Sequence, residues 1–139
     1  MIKFSVGADP ELFLKSYGSY KSAVGLVGGS KWAPLPLNNK GDAILEDNVA
    51  VEFNIEPATS KDAFRSHIHR VLDHLRSILP GYEFSKESAV SFPKEELEHP
   101  QAQEFGCEPD FDAWRECVNN KPHANDPNLR SAGGHIHVG

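Results

Sequence analysis

The stretch Asp47-Asn-Val-Ala-Val-Glu-Phe-Asn-Ile-Glu-Pro57 limits the fold more than any other. Val49, Val51, Phe53 and Ile55 alternate there with Ala50, Glu52, Asn54 and Glu56. Alternation with period 2 marks a strand with unlike faces. The apolar face needs a partner layer, and the other face carries Glu52, Asn54 and Glu56 in a row. The plain reading is an antiparallel sheet with one solvated side. Two features ask for more than solvation. The row holds no lysine or threonine, and it adds like charge to Asp9 and Glu11. Carboxylates gathered on one side repel unless a cation sits between them.

The N-terminus reads as a strand with Ile2, Phe4 and Val6 on one face. Gly7-Ala-Asp-Pro-Glu11 interrupts it, and Pro10, which cannot donate to a ladder, predicts a bulge or an edge position. Leu12 to Leu14 resume the strand. Asp9 and Glu11, two residues apart, project together; the competing reading is a turn capped by Asp9. Tyr17 to Tyr20 predicts a hairpin tip around Gly18. Residues 22–42 are rich in glycine, proline and asparagine. Gly28-Gly29-Ser30-Lys31 falls short of the full phosphate-loop pattern. That segment reads as an active-site loop or flap carrying Lys31 and Trp32.

Thr59 is the expected N-cap of a helix running to about Leu79, where Pro80-Gly81 stops it. Phe64, Ile68, Val71, Leu72, Leu75, Ile78 and Leu79 form its apolar stripe. His67, Arg70 and His74 fall on the polar side, read as solvated surface. Within that helix His67-Ile68-His69 sends its two imidazoles about 200° apart. The same tripeptide returns as His135-Ile136-His137, behind Gly133-Gly134. If Gly134 to Val138 is a strand, both imidazoles share a face, and Ile136 and Val138 turn into a core. A strand with histidines merely facing water is the bland alternative. Between these copies, Tyr82 to Phe92 predicts a strand with Phe84 and Val90 in the core. Residues 93–104 read as a loop or short helix. Cys107 and Cys117 make no disulfide framework and are expected reduced, Cys107 as a buried structural thiol.

A length of 139 residues suits one domain with a real core. A net charge of −6 without a Lys/Arg cluster argues against a nucleic-acid partner. No apolar run approaches the ~20 residues of a membrane span, and Met1-Ile-Lys-Phe-Ser-Val6 is no signal peptide, so a cytoplasmic location is expected. Asp9, Glu11, Glu52 and Glu56 with an imidazole favour Mg²⁺ or Mn²⁺ over a structural zinc. Such ions serve phosphate chemistry, and Lys31 and Arg130 are candidates for phosphate oxygens. That combination predicts a nucleotide-dependent enzyme built on a sheet rather than on a phosphate loop.

Gly7-Ala-Asp-Pro-Glu-Leu-Phe-Leu14, Asp47 to Ala58, Phe105-Gly-Cys-Glu-Pro-Asp110 and Arg130-Ser-Ala-Gly-Gly-His-Ile-His-Val-Gly139 together resemble the phage carboxylate–amine ligases of type 2. Those belong to the glutamine-synthetase-like amidoligases, alongside glutamate–cysteine ligases. The resemblance implies an α+β fold: a curved antiparallel sheet with helices packed on one face, half of a glutamine-synthetase-like catalytic domain. Residues 1–139 would be a single domain and the N-terminal part of a longer amidoligase domain, because such families continue past the glycine–histidine motif. It implies ATP and Mg²⁺ (or Mn²⁺), with a carboxylate activated as an acyl phosphate and then attacked by an amine. Carried over residue by residue, Asp9, Glu11, Glu52 and His135 are the metal ligands. His137 approaches the ATP phosphates, and Lys31 and Arg130 bind phosphate or a substrate carboxylate. Glu52, His137 and Arg130 carry the catalytic roles, and Asn54 and Glu56 lie nearer the substrate. The partners would be small-molecule or peptide carboxylates and amines in a bacterial host cytoplasm, with a homo-oligomer left open. Two other readings compete: a zinc-dependent hydrolase using His135 and His137, and a truncated, non-catalytic metal-binding fragment.

Overall fold

The computed structural model describes residues 3–104, 111–120 and 125–139. Ile2 and the Phe105–Asp110 motif with Cys107 lie outside the described residues. In chain order the elements are β1 (Val6–Ala8), β2 (Glu11–Ser16), β3 (Ser19–Lys21), β4 (Leu35–Pro36), β5 (Ala43–Asp47), β6 (Ala50–Asn54) and α1 (Lys61–Ile78). There follow β7 (Glu83–Ser85), β8 (Ala89–Ser91), a 3-10 turn (Lys94–Leu97), α2 (Pro100–Gln103), β9 (Phe111–Asp112), β10 (Cys117–Val118), β11 (Leu129–Ser131) and β12 (Ile136–Val138). The paired strands run antiparallel, and the fold is α+β.

The sheet grows outward from residues 6–16. Glu11 lies opposite Glu52, and Leu12 opposite Val51. The same register continues across Pro10, because Phe53 N–H donates to the Pro10 carbonyl and Ile55 N–H to the Ala8 carbonyl, each at 3.2 Å. On the other side Gly7 lies opposite His137, and Glu11 N–H reaches the Gly133 carbonyl at 2.9 Å. Pro10 is therefore an interior position, not the bulge or edge its chemistry predicts. The ladder loses one donor and keeps its register.

Register also decides which side chains share a face. Leu14, Ile44, Val51, Phe53 and Ile55 form one buried layer, closed by Val71, Leu75 and Leu79 of α1. Fully burying such a side chain is worth about 1.5–3 kcal/mol, so this layer holds the helix on the sheet. The N-cap is Ser60, whose Oγ accepts from Ala63 N–H at 3.2 Å, one residue later than the expected Thr59. Ile78, placed on the stripe by its spacing, is 39% exposed at the last turn.

The expected surface side of α1 is in part a joint. Asp42, 1% exposed, accepts from Arg70 Nε at 2.6 Å, Asn38 Nδ2 at 2.7 Å and Glu56 N–H at 2.7 Å. His67 Nδ1 donates to the Glu56 carbonyl at 2.7 Å. Since a carbonyl can only accept, that nitrogen carries the proton. The polar side of the helix is thereby tied to the end of β6.

Phe13 and Ala50 follow Glu11 and Glu52 on the opposite face of the sheet, where a second core covers them with Phe92, Leu97 and Ala102. Phe13 and Phe92 meet edge to face, centroids 5.3 Å apart. Helical segments thus cover both faces, not the single face expected. Val49 joins this second core from the β5–β6 turn instead of the α1 layer. Ile136 and Val138 do not enter a core: they are 64% and 70% exposed. Helix α1 stops short of covering β12, leaving a groove of about 430 Å³ lined by Phe4, Val6, Phe64 and Ile136. Phe4 is 59% exposed for the same reason. Among the described residues no helix is long and apolar enough to cross a membrane.

Candidate metal centre

On the sheet face that carries Phe13 and Ala50, the half beyond them is acidic. The Glu11–Glu52 pairing sets two carboxylates side by side. A two-residue turn, Asn48-Val49, places Asp47 opposite Ala50 and so on the same face as Glu52. Asn48 takes φ 55°, a conformation its short polar side chain tolerates. Carboxylate oxygens of Glu11, Asp47 and Glu52 lie within 4.8 Å of one another. Asp47 is the member of this trio that pattern reading missed. Its signal was the Asp47-Asn48 pair, where an asparagine that tolerates positive φ turns β5 into β6 and sets Asp47 across from Ala50.

Crowding shows in the acidities. Burial, then the charges of Asp47, Glu11 and Asp9, push Glu52 up to about 7, with Lys31 opposing. Burial raises Glu11, against the Gly133 N–H that its carboxylate accepts. Burial raises Asp47, against the charge of Lys31. A proton or a cation relieves such a group, and three hard oxygen donors fit Mg²⁺ or Mn²⁺.

Asp9 stands beside the trio and faces β12. Its Oδ1 accepts His135 N–H at 2.7 Å and its Oδ2 accepts His137 Nε2–H at 3.2 Å. His135 Nδ1 lies 3.4 Å from Oδ1. Both imidazoles are on one face, as the period predicts, and both are largely exposed, with ring centroids 6.1 Å apart. Glu11 Oε2 accepts Gly133 N–H at 2.8 Å. Side-chain carboxylates thus secure the Gly-Gly entry to β12. Gly134 allows the approach: its φ is +146°, and a Cβ there would fall 2.8 Å from Pro10 Cα.

The other predicted residues divide. Asn54, with Gly7 and His137, lines a pocket of about 380 Å³. The positive charge of Lys31 acts on Asp47 and Glu52. Glu56 turns away to α1, with Arg70 Nη2 at 3.0 Å and His67 Nε2 at 3.7 Å. Arg130 is buried; its Nε donates to the Ala102 carbonyl at 2.9 Å, and its Nη1 to Pro127 at 2.9 Å and Leu129 at 2.8 Å. It pegs β11 to α2 instead of joining the acids. The glycine-rich loop is held rather than hinged. Glu46 accepts Gly25, Val27 and Gly28 N–H at 3.1, 3.0 and 2.8 Å. At Gly29 (φ +75°) a Cβ would fall 2.7 Å from the Ile44 carbonyl.

Searches against protein-family models, curated proteins and solved structures return no match to this chain.

Proposed function

We propose that the chain carries the metal and nucleotide site of an ATP-dependent carboxylate–amine ligase. The observation that supports this reading is the convergence of Glu11, Asp47 and Glu52, with the charge of Lys31 acting on two of them and the Asp9-held histidines nearby. In that reaction a carboxylate oxygen attacks the γ-phosphorus of ATP and ADP leaves. The amine nitrogen then attacks the acyl carbon, loses a proton, and inorganic phosphate leaves. Glu11, Asp47 and Glu52 would hold Mg²⁺, which supplies charge neutralisation for the phosphoryl group. Lys31 adds positive charge at the same rim. Asp9 holds His137 through Nε2, and His137 shares the lining of one pocket with Asn54.

The zinc-hydrolase reading draws less support. His135 and His137 address different oxygens of Asp9 instead of converging on one point. A thermal shift separates the two. A rise that needs Mg²⁺ and ATP together, lost in His137→Ala, supports the ligase site. A rise with Zn²⁺ alone, without nucleotide, contradicts it.

A further inference from the structure

Trp32 is 93% exposed, yet it stands on a loop fixed from both ends. The stem is gripped by the Glu46 carboxylate through three backbone N–H groups. The tip is closed by Ser30 N–H to the Ala33 carbonyl and Ala33 N–H to the Ser30 carbonyl, each at 3.0 Å. Ser30 also bridges to Glu46 on β5, next to the ligand Asp47. Trp32 lies inside that closed tip, one residue after Lys31, whose charge reaches Asp47 and Glu52. An indole in water gives up the apolar contact that makes tryptophan favourable inside a protein. Holding it on a rigid turn removes much of the ordering cost of stacking a ligand on it.

A flat apolar ring one residue from a lysine whose charge acts on the carboxylate cluster fits one kind of ligand: a planar base joined to a polyphosphate. We propose that Trp32 is the platform on which the base of the nucleotide stacks. The proposal rests on the nucleotide reading above and adds the residue that would recognise the base. The phosphates lie toward Lys31 and the acids, and the base lies over the tip of the loop.

The test uses Trp114→Phe, which leaves Trp32 as the sole tryptophan reporter, with Mg²⁺ present throughout. ATP and inorganic tripolyphosphate, which has no base, are titrated in parallel. ATP is expected to quench Trp32 emission and tripolyphosphate to leave it unchanged. By calorimetry, Trp32→Ala is expected to weaken ATP about tenfold, the usual loss for one stacked base, without changing tripolyphosphate affinity. Trp32→Phe should recover most of that loss. If ATP binds and Trp32→Ala does not weaken it, the platform is overturned and the nucleotide site stands. If neither ATP nor tripolyphosphate binds, the nucleotide site itself fails and takes this inference with it.

Discussion

His-Ile-His occurs twice, and the two copies do opposite things. In α1, His67 is turned inward, Nδ1 on the Glu56 carbonyl, while His69 faces solvent, and Ile68 packs against the core. At β12, the imidazoles of His135, just before the strand, and of His137, within it, both lie beside Asp9, and Ile136 is left outside. A helical period of 3.6 separates neighbours two apart, whereas a period of 2 aligns them. The element, not the tripeptide, decides which histidine is structural and which is free for chemistry.

That contrast can be broken by substitution. The largest effect is expected at the acids that His135 and His137 adjoin. Glu52→Gln should weaken Mg²⁺ binding about a hundredfold or more by calorimetry, the scale of losing one charged partner in a half-buried site. The same change should stabilise the metal-free chain by about 1 kcal/mol, a figure kept low because water reaches the group and screens the repulsion. The pH dependence follows in sign. Glu52 titrates near 7 when folded against an ordinary 4.5, so between those values the folded chain holds a proton that the unfolded chain has released. This contribution to stability is complete below pH 4.5 and is lost as pH rises through about 7. Urea unfolding of the metal-free chain should show that decline, and Glu52→Gln should reduce it.

Next comes Gly134→Ala. The contact with Pro10 and the positive φ should cost about 2–3 kcal/mol in urea unfolding and displace His135 and His137 together. Third is His67→Ala, expected to lower stability by about 1–2 kcal/mol through the lost bond to Glu56, with Mg²⁺ affinity unchanged. The smallest effects should come from the exposed rings. His137→Ala and His69→Ala should each shift stability by less than about 0.5 kcal/mol, but only His137→Ala should reduce Mg²⁺-dependent ATP binding. Equal binding losses from His69→Ala and His137→Ala would erase the distinction between the copies.

Much of this was legible in the residues. Alternation over Val51 to Glu56 located the central hairpin strand, its buried face and the acid Glu52. Spacing of two in Asp9–Glu11 and His135–His137 correctly put each pair on one face. The apolar stripe from Phe64 to Leu79 located α1 to within two residues at its start. What stayed hidden depended on distant contacts. Arg130 is chemically a phosphate binder, but three carbonyls supplied by Ala102, Pro127 and Leu129 claim it. Glu56 continues the comb of β6 in sequence, yet Arg70 and His67 draw it to the helix just past the strand end. Asp47 needed the turn geometry of Asn48-Val49 before its place beside Glu52 could be seen. Glu46 looks like one more surface acid and is instead the grip on the glycine-rich loop.

Glu11, Asp47 and Glu52 are the proposed holders of the divalent cation. The most direct measurement is a Mn²⁺ titration followed by electron paramagnetic resonance, on the wild-type chain and on Asp47→Asn. The free-ion signal should fall as the wild-type chain takes up Mn²⁺, and uptake should drop at least about tenfold when the ligand charge is removed. Uptake by Asp47→Asn equal to that of the wild type, or no uptake by either, would contradict the assignment.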